Sequence, residues 1–254
     1  MNTTPECPPH CASFHTLPYT TVHAQQQMPT THRIYLQHKD QPTYAFTPIV
    51  DAIPLHNADD NTFNMVCEIP RFTSAKMEID WKALHQPIRQ DITTDGRPRE
   101  YQLSPMPFNY GALPQTWEDP NHKCEHTGFY GDDDPLDVVD IGTAQASTGL
   151  VYRVKVLGVL GMIDQNETDW KIIAINVNDP MAVYLNNIGD VCVHRHGILD
   201  VLKEWLRMYK VPEGKPPNSF AFDEAYQNKA FAEHIVFQMH RAWQARSTQT
   251  PETK

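Results

Sequence analysis

The longest apolar stretch of the chain runs from Leu150 to Ile163, where valines recur among other large apolar residues. Such a run is typical of a buried β-strand. A second apolar run, from Lys171 to Val177, follows a polar turn from Asp164 to Asp169. Together the two runs predict a hairpin that belongs to a sheet or a barrel.

Shorter alternations of apolar and polar residues fill the chain from His32 to Val66 and predict short strands and turns. Helical spacing, with apolar residues three and four apart, occurs only near the end, from Ile198 to Tyr209 and from Glu224 to Trp243. The pattern therefore predicts an α+β fold that is mainly β, with a β-barrel flanked by two C-terminal helices.

The chain of 254 residues is long enough to bury one good core, which favours one main domain. Residues 1–30 are rich in Thr, Pro, His and Gln and are expected to form a disordered tail. Residues 31–246 are expected to form the domain, and residues 247–254 a flexible end. The Cys and His residues of Cys7 to Cys11 and of His122 to His126 match no standard zinc spacing and are interpreted as tail and loop.

A formal net charge of −10 disfavours nucleic acid as a partner, because phosphate backbones attract surfaces rich in Lys and Arg. No apolar run approaches the roughly 18 residues of a membrane helix, so no membrane partner is expected, and no secretory signal is recognisable. Five scattered cysteines suit a reducing compartment. The cytoplasm is the expected location, and an organelle, such as an acidic calcium store or a mitochondrion, is the alternative.

The segment from Gly131 to Asp140 carries the densest group of acidic residues, with three consecutive aspartates at 132–134 and two more at 137 and 140. Carboxylates this close repel one another unless water solvates them or hard cations such as Mg²⁺ neutralise them. Both interpretations stay open for this segment alone. A calcium loop of the helix-loop-helix type is excluded, because counting from Asp132 gives Asp137 at its glycine position and Thr143 at its glutamate position.

Two further regions mix acidic and basic residues. Lys76 and Glu78 stand two residues apart and would share one face of a strand. Cations recur at Arg99 and at Tyr209-Lys210, and more carboxylates lie at the predicted hairpin turn. This mixture suits a site in which carboxylates hold metal ions and cations hold phosphate oxygens.

Four stretches, Glu68 to Ile79, Asn109 to Pro120, Gly131 to Asp137 and Ile163 to Lys171, resemble in sequence and order the family I soluble inorganic pyrophosphatases of eukaryotic type. The similarity continues through Trp205 to Pro216 and covers roughly residues 19–243. It implies a small closed β-barrel of the OB type with flanking strands, and a Mg²⁺-dependent enzyme that hydrolyses pyrophosphate to two phosphates. It further implies a homo-oligomer, a dimer or larger.

The resemblance also implies roles for individual side chains. The activating metal ions would bind Asp132, Asp137 and Asp169, and metal ions arriving with substrate would bind Glu78 and Asp164. Asp134 would orient the attacking water, and Glu68 would support the metal cluster from outside the ligand sphere. The phosphoryl groups would be gripped by Lys76, Arg99, Tyr110, Tyr209 and Lys210. Ca²⁺, which accepts longer bonds and looser geometry than Mg²⁺, is expected to inhibit.

Some positions depart from this family. Four residues before Tyr110, where the family usually has Tyr, the chain has Met106, whose thioether cannot replace a phenol as a hydrogen-bond donor. The stretch from Arg99 to Tyr110 is shorter than usual, so Arg97 competes with Arg99 as the phosphate ligand. Asp133 stands where relatives commonly have Asn and is expected to point to solvent.

Two alternatives to the hydrolase remain. The chain could be a metal-binding relative with weakened or lost turnover, for which Met106 is the best support. It could instead be a two-metal phosphoesterase for an organic phosphate, which would need an aromatic or apolar platform beside the metals.

Overall fold

A computed structural model describes residues 13–14, 16–24, 31–42 and 45–249 of the chain. Within these residues, no helix combines the length and the apolar character that a membrane crossing needs. The predicted tail contains one element that the structure does describe, strand β1 (Tyr19–Ala24), which pairs with β2 (Arg33–His38). Residues 1–12, 25–30 and 250–254 lie outside the described residues, and the predicted domain limits stay a prediction.

The main sheet contains a ring of five strands, β4 (Thr62–Ile69), β7 (Asn109–Ala112), β9 (Asp137–Asp140), β10 (Val151–Asp164) and β11 (Glu167–Asn176). The pairing order is β10–β11–β9–β7–β4, and the first part of β10 returns to pair with β4. All pairs in the ring are antiparallel except β9 with β11. This arrangement confirms the predicted mainly β fold with a barrel.

Four short strands extend the main sheet outside the ring. They are β3 (His56–Asn57), β8 (Tyr130–Gly131), β12 (Ser219–Phe220) and β13 (Gln227–Asn228). A second, four-stranded sheet has the order β1–β2–β6–β5, with β5 at Met77–Ile79 and β6 at Ile88–Gln90. This second sheet is the flanking-strand part of the predicted fold.

The predicted hairpin exists, but its turn is tighter than the sequence indicated. The strands β10 and β11 pair from Val154–Asn176 to Asp164–Glu167, which leaves only Gln165 and Asn166 in the turn. Both turn residues have positive φ, 50° and 70°, as a two-residue hairpin turn of this twist requires. Asp169 therefore lies inside a strand rather than in the predicted polar turn.

The helices are α1 (Ile49–Ala52), α2 (Ile188–His194), α3 (Ile198–Met208) and α4 (Lys229–Gln249). The two predicted C-terminal helices correspond to α3 and α4. The helices α1 and α2 were not predicted, because they are too short to show a clear helical periodicity. Helix α4 begins at Lys229 and not at Glu224. The preceding residues include a left-handed turn at 222–224, and the Asn228 side chain accepts the Phe231 amide proton at 2.9 Å as an N-cap.

Three buried apolar clusters hold these layers together. One lies between the ring and the helices α2 and α3, a second between the ring and α4, and a third between the ring and the second sheet. The large apolar residues of α3 and α4, such as Leu202 and Ile235, are buried in these clusters, as their helical spacing predicted. The site described below opens where the ring meets α3 and the second sheet.

Gly111 lies where the ring strands β4 and β7 pass close to each other. A Cβ atom at Gly111 would lie 1.9 Å from the carbonyl oxygen of Val66, so β4 and β7 would have to separate. We expect Gly111→Ala to lower the free energy of unfolding by about 3 kcal/mol, measured by urea unfolding. Gly189→Ala in α2, where nothing lies within 4 Å of the new Cβ, should instead leave stability equal or slightly higher. Equal effects of the two substitutions would contradict this view of the ring.

Candidate active site

A cavity of about 350 Å³ opens between the ring, the second sheet and the end of α3. Its walls contain every side chain that the sequence singled out for metal or phosphate binding. These residues are Glu68, Lys76, Glu78, Arg99, Tyr110, Asp132, Asp134, Asp137, Asp164, Asp169, Tyr209 and Lys210. Segments far apart in sequence thus meet in one place, although the individual roles stay predictions.

The acidic loop is the turn between β8 and β9, and backbone contacts fix its shape. Asp133 adopts a left-handed conformation with φ 71°, and the Asp134 amide donates to the Asp132 carboxylate at 3.1 Å. The Asp133 carboxylate accepts from the indole N–H of Trp117 at 2.8 Å and pairs with Lys82 at 2.5 Å. Asp132 and Asp134 line the cavity. The Asp133 carboxylate is instead held by Trp117 and Lys82.

The two aspartates at the ends of β9 have separate environments. Asp137 lines the cavity. Asp140 is fully buried and accepts hydrogen bonds from the side chains of Asn109 and Tyr152 and from two backbone amides. Residues three apart on a strand lie on opposite faces. Asp140 therefore stabilises the core, and Asp137 is available to the site.

Lys171 is a buried cation at the centre of the site. It pairs with Asp137 across the parallel strands β9 and β11, and with Asp169 on its own strand, and its Nζ lies 2.9 Å from the Tyr110 hydroxyl. The Tyr110 hydroxyl donates to Asp137 at 2.5 Å. Burial opposes the charge of Lys171, but Asp137 and Asp169 outweigh it and raise the pKa of this ammonium well above its usual value.

Three other acids of the site, Asp132, Asp134 and Asp169, have raised pKa values, and burial is the largest cause in each. Burial, followed by the charges of Asp169 and Asp134, holds the pKa of Asp132 well above its ordinary value. The same burial raises the pKa of Asp169 to about 7 and that of Asp134 to about 6. Groups with raised pKa values resist ionisation, and a divalent cation among them would relieve that resistance.

Among the residues that the structure describes, three carboxylates bring oxygen atoms close enough together to hold a metal ion. Carboxylate oxygens of Glu118, Asp132 and Asp169 all lie within 4.8 Å of one another. Glu118 is 1% exposed, and its Oε1 accepts a hydrogen bond from the Trp170 amide. Its other oxygen, Oε2, has no hydrogen-bond partner among the described residues. Hard cations such as Mg²⁺ take ligands of this type. Divalent metal therefore fits this donor set.

The second sheet contributes a row of paired charges. Lys76 pairs with Glu78 at 2.8 Å and with Asp91 at 3.0 Å, which confirms that Lys76 and Glu78 face the same way. Arg89 contacts Glu78 at 3.0 Å from the neighbouring strand β6. Behind them, Glu68 is 6% exposed and accepts the Ile79 amide proton at 2.7 Å. Its position beneath β5 suits the supporting role predicted for it.

Arg99, and not Arg97, reaches the cavity. The Arg99 guanidinium contacts Asp91 at 3.0 Å and Glu213 at 2.8 Å, and its side chain is 18% exposed. The Arg97 side chain is 78% exposed, pairs with Asp95 and is not part of the cavity wall. Position therefore favours Arg99 over Arg97, and its role as a phosphate ligand stays a prediction.

Helix α3 delivers the last two predicted side chains at its C-terminal end. The Tyr209 ring stacks on Trp205 with centroids 5.1 Å apart, and its hydroxyl lies 3.4 Å from Asp164. Lys210 pairs with the same Asp164 carboxylate. Asp164 ends β10, so α3 is held against the hairpin through charge as well as through packing.

Sequence reasoning gave no role to several residues of this site, among them Lys171, Glu118, Arg89, Tyr101 and Trp81. Lys171 had a recognisable signal, because it stands two residues after Asp169 and shares its face once the segment is a strand. Glu118 lies within the Asn109 to Pro120 stretch but was given no role. Arg89 and Tyr101 had no pattern of their own, since only pairing between strands brings them to the cavity.

Met106 does not face the cavity. It is fully buried in the apolar cluster under α3, and it is absent from the cavity wall. Its backbone pairs with Phe72 and Thr73. The thioether therefore acts as core packing.

Comparison with known proteins gives consistent matches. The family model described as inorganic pyrophosphatase matches residues 65–244. Curated inorganic pyrophosphatases of Bos taurus and Homo sapiens are 46% and 45% identical over 228 residues, which is 88% of this chain and 77% of each relative.

Two solved structures are similar over most of both chains. The type I inorganic pyrophosphatase from Toxoplasma gondii has a TM-score of 0.83 at 39% identity, and the match covers 89% of this chain and 99% of the other. The truncated vacuolar soluble pyrophosphatase of Trypanosoma cruzi, solved in complex with PPi, has a TM-score of 0.85 at 35% identity, and the match covers 98% and 97%.

The two arginines of one loop provide a matched test of the site. We expect Arg99→Ala to lower kcat/KM for pyrophosphate by about a hundredfold, because one charged hydrogen-bond donor is worth about 1.5–3 kcal/mol. Arg97→Ala, which removes the same charge outside the cavity, should stay within about twofold of the wild type. Steady-state phosphate release measures both, and a larger loss in Arg97→Ala would show that the cavity is assigned to the wrong arginine.

Proposed function

The chain belongs to the inorganic pyrophosphatase family, and we propose that it hydrolyses pyrophosphate to two phosphates with Mg²⁺ ions in the cavity described above. The observation that carries this proposal is the meeting of metal-binding acids and phosphate-binding cations in one cavity. Pyrophosphate offers oxygen atoms to both. A site for phosphoryl transfer needs positioning and charge neutralisation more than covalent chemistry.

The donor set supports a divalent metal cofactor. Glu118, Asp132 and Asp169 present a compact group of oxygens, and Asp137 lies beside them. Mg²⁺ prefers carboxylate and water oxygens, and when bound it lowers the pKa of a water molecule and neutralises phosphate oxygens. Glu78 and Asp164 lie elsewhere on the cavity wall and are proposed to hold metal ions that enter with the substrate.

Asp134 is proposed to orient the attacking water and to accept its proton. The Trp81 indole N–H donates to one oxygen of Asp134 at 3.1 Å, which fixes the carboxylate and leaves the other oxygen for the water. Burial raises the pKa of Asp134 to about 6, and a base with a pKa near neutrality accepts a proton more readily than an ordinary aspartate does. The water then attacks phosphorus in line with the leaving phosphate.

The cations and phenols are proposed to hold the two phosphoryl groups. Lys76, Arg99 and Lys210 each pair with carboxylates in the structure. Phosphate oxygens could replace these carboxylate partners, and the carboxylates released would be available to hold metal ions. Tyr110 and Tyr209 add hydroxyl groups at the same wall. Charge that develops on the leaving phosphate is thereby neutralised where it forms.

The two alternatives gain no support from the structure. Met106, the basis for a silenced relative, belongs to the core and not to the cavity wall. An organic phosphate would need an aromatic platform, and Trp81 is an aromatic ring on the wall, but Lys82 and Arg246 lie over it at 4.9 and 4.3 Å. Release of phosphate from pyrophosphate, but not from nucleotides or sugar phosphates, distinguishes the three functions. No release at any Mg²⁺ concentration would overturn the proposal.

We also propose an oligomeric state and a cellular location for the protein. A homo-oligomer is supported by large apolar side chains exposed on the surface, such as Phe72 at 63%, Val183 at 72% and Val193 at 63%. The cytoplasm is the proposed location. An organelle is the alternative, because similar structures include pyrophosphatases of Trypanosoma cruzi and Trypanosoma brucei that are named vacuolar.

Substitution of the proposed base is the sharpest test of the mechanism. We expect Asp134→Asn to lower kcat by a factor of about 10² to 10⁴, because an amide cannot take the proton of the attacking water. Its oxygen can still accept from Trp81, so the unfolding temperature should be unchanged. Asp133→Asn, one residue away, should keep most of the activity. Near-normal turnover by Asp134→Asn would contradict the assigned role.

Calcium tests the metal dependence. We expect Ca²⁺ alone to support no turnover and Ca²⁺ added to the Mg²⁺ enzyme to inhibit, because its longer bonds and higher coordination number misplace the attacking water. Phosphate release at fixed pyrophosphate and varied Mg²⁺ should show competition that more Mg²⁺ relieves. Full activity with Ca²⁺ as the only divalent ion would count against this mechanism.

A further inference from the structure

Tyr101 is a buried tyrosine on the cavity wall to which neither the sequence patterns nor the proposed mechanism gives a role. It is 8% exposed, and its ring packs edge-on against Trp205 at 4.8 Å and Tyr209 at 5.7 Å. Its amide donates to the Ser74 carbonyl oxygen at 2.8 Å. Contacts to backbone and rings on both sides therefore fix the position of this side chain.

The hydroxyl of Tyr101 is available for a ligand. Three tyrosines line the cavity: the Tyr110 hydroxyl is bonded to Asp137, and the Tyr209 hydroxyl lies 3.4 Å from Asp164. Within the part of the chain that the structure describes, the Tyr101 hydroxyl makes no hydrogen bond, and this oxygen is not fully enclosed by protein atoms. Buried phenols normally find a hydrogen-bond partner, so a partner from the cavity contents fits this position.

The surroundings of Tyr101 favour an anionic partner. After burial, the positive charges of Lys76 and Lys171 act on its phenol more strongly than the negative charges of Asp137 and Glu68. Burial is the largest influence and raises its pKa far above the usual value, which keeps the hydroxyl protonated and able to donate. Arg99 stands two residues earlier on the same stretch and faces the same cavity.

We propose that the Tyr101 hydroxyl donates a hydrogen bond to a phosphoryl oxygen of bound pyrophosphate, an inference that rests on the function proposed above. The stretch from Arg99 to Met106 runs along residues 72–76, because Arg99, Tyr101 and Met106 all exchange backbone hydrogen bonds with that segment. Tyr101 and Met106 also share one buried cluster.

Tyr101→Phe is the direct test, because it removes only the hydroxyl and keeps the ring that packs against Trp205 and Tyr209. We expect kcat/KM for magnesium pyrophosphate to fall three- to tenfold, as one neutral hydrogen bond predicts. The inhibition constant of imidodiphosphate, in which nitrogen replaces the bridging oxygen, should rise by a similar factor. The Mg²⁺ concentration for half-maximal activity should be unchanged.

Tyr226→Phe is the matched control, since Tyr226 packs on the same cluster but bonds the Leu199 carbonyl oxygen at 2.8 Å and lies outside the cavity wall. Its kcat/KM and inhibition constant should equal those of the wild type. Equal losses in both variants, or full activity and inhibitor affinity in Tyr101→Phe, would overturn the inference. A wild-type protein that releases no phosphate from pyrophosphate would instead overturn the proposed function, so the two failures are distinguishable.

Discussion

Glu68, Glu118 and Asp169 lie almost entirely out of water, and nearby carboxylates raise the cost of ionising them further: Asp137 acts on Glu68, and Asp132 and Asp169 act on Glu118. Burying a carboxylate is costly unless it is paired or binds a metal ion. The structure provides only part of the compensation. Lys171 sits between Asp137 and Asp169, while Glu118 keeps one oxygen without a partner. The remaining compensation comes from bound protons, as the raised pKa values indicate, or from cations outside the chain, and a divalent metal ion fits the donor set.

A group of side chains that repel one another cannot hold itself together, so the scaffold must do so. The ring of strands supplies this rigidity, since β9 and β11 pair side by side and place Asp137 opposite Lys171. Apolar clusters pack on both faces of the ring, and their burial offsets the unfavourable electrostatics of the cavity. The tight hairpin turn at Gln165 and Asn166 extends β11 as far as Glu167 and brings Asp164 and Asp169 to one wall.

The sequence predicted the features that depend on regular patterns. Long apolar runs predicted β10 and β11, helical spacing predicted α3 and α4, and the ordered motifs predicted a set of side chains that all reach one cavity. It did not predict the length of the hairpin turn, because Asp164 to Asp169 is polar whether it forms a turn or the end of a strand. It also left Arg97 and Arg99 equivalent, since only backbone pairing of the 91–101 stretch decides which guanidinium faces inward. Tyr101 and Arg89 depend on contacts between distant segments, which a single sequence does not reveal.

The cations of the cavity are already paired with carboxylates, and ligands that enter the cavity have to replace these partners. Lys210 pairs with Asp164, Lys76 with Glu78, and Arg99 with Asp91 and Glu213. Lys76 and Glu78 have second partners in Asp91 and Arg89, but a metal ion that bound Asp164 alone would leave the Lys210 ammonium group without its ion-pair partner, and a phosphate that bound Lys210 alone would leave the Asp164 carboxylate without its own. Either step by itself would cost free energy, because it would leave a buried charge unpaired. Removing one member of a buried ion pair by mutation costs about 3–5 kcal/mol for the same reason. If metal ions and pyrophosphate bind as proposed, their entry together would exchange both partners of the Lys210–Asp164 pair at once. Binding of the metal ion and binding of the anion would then be coupled through this ion pair, so that each would favour the other.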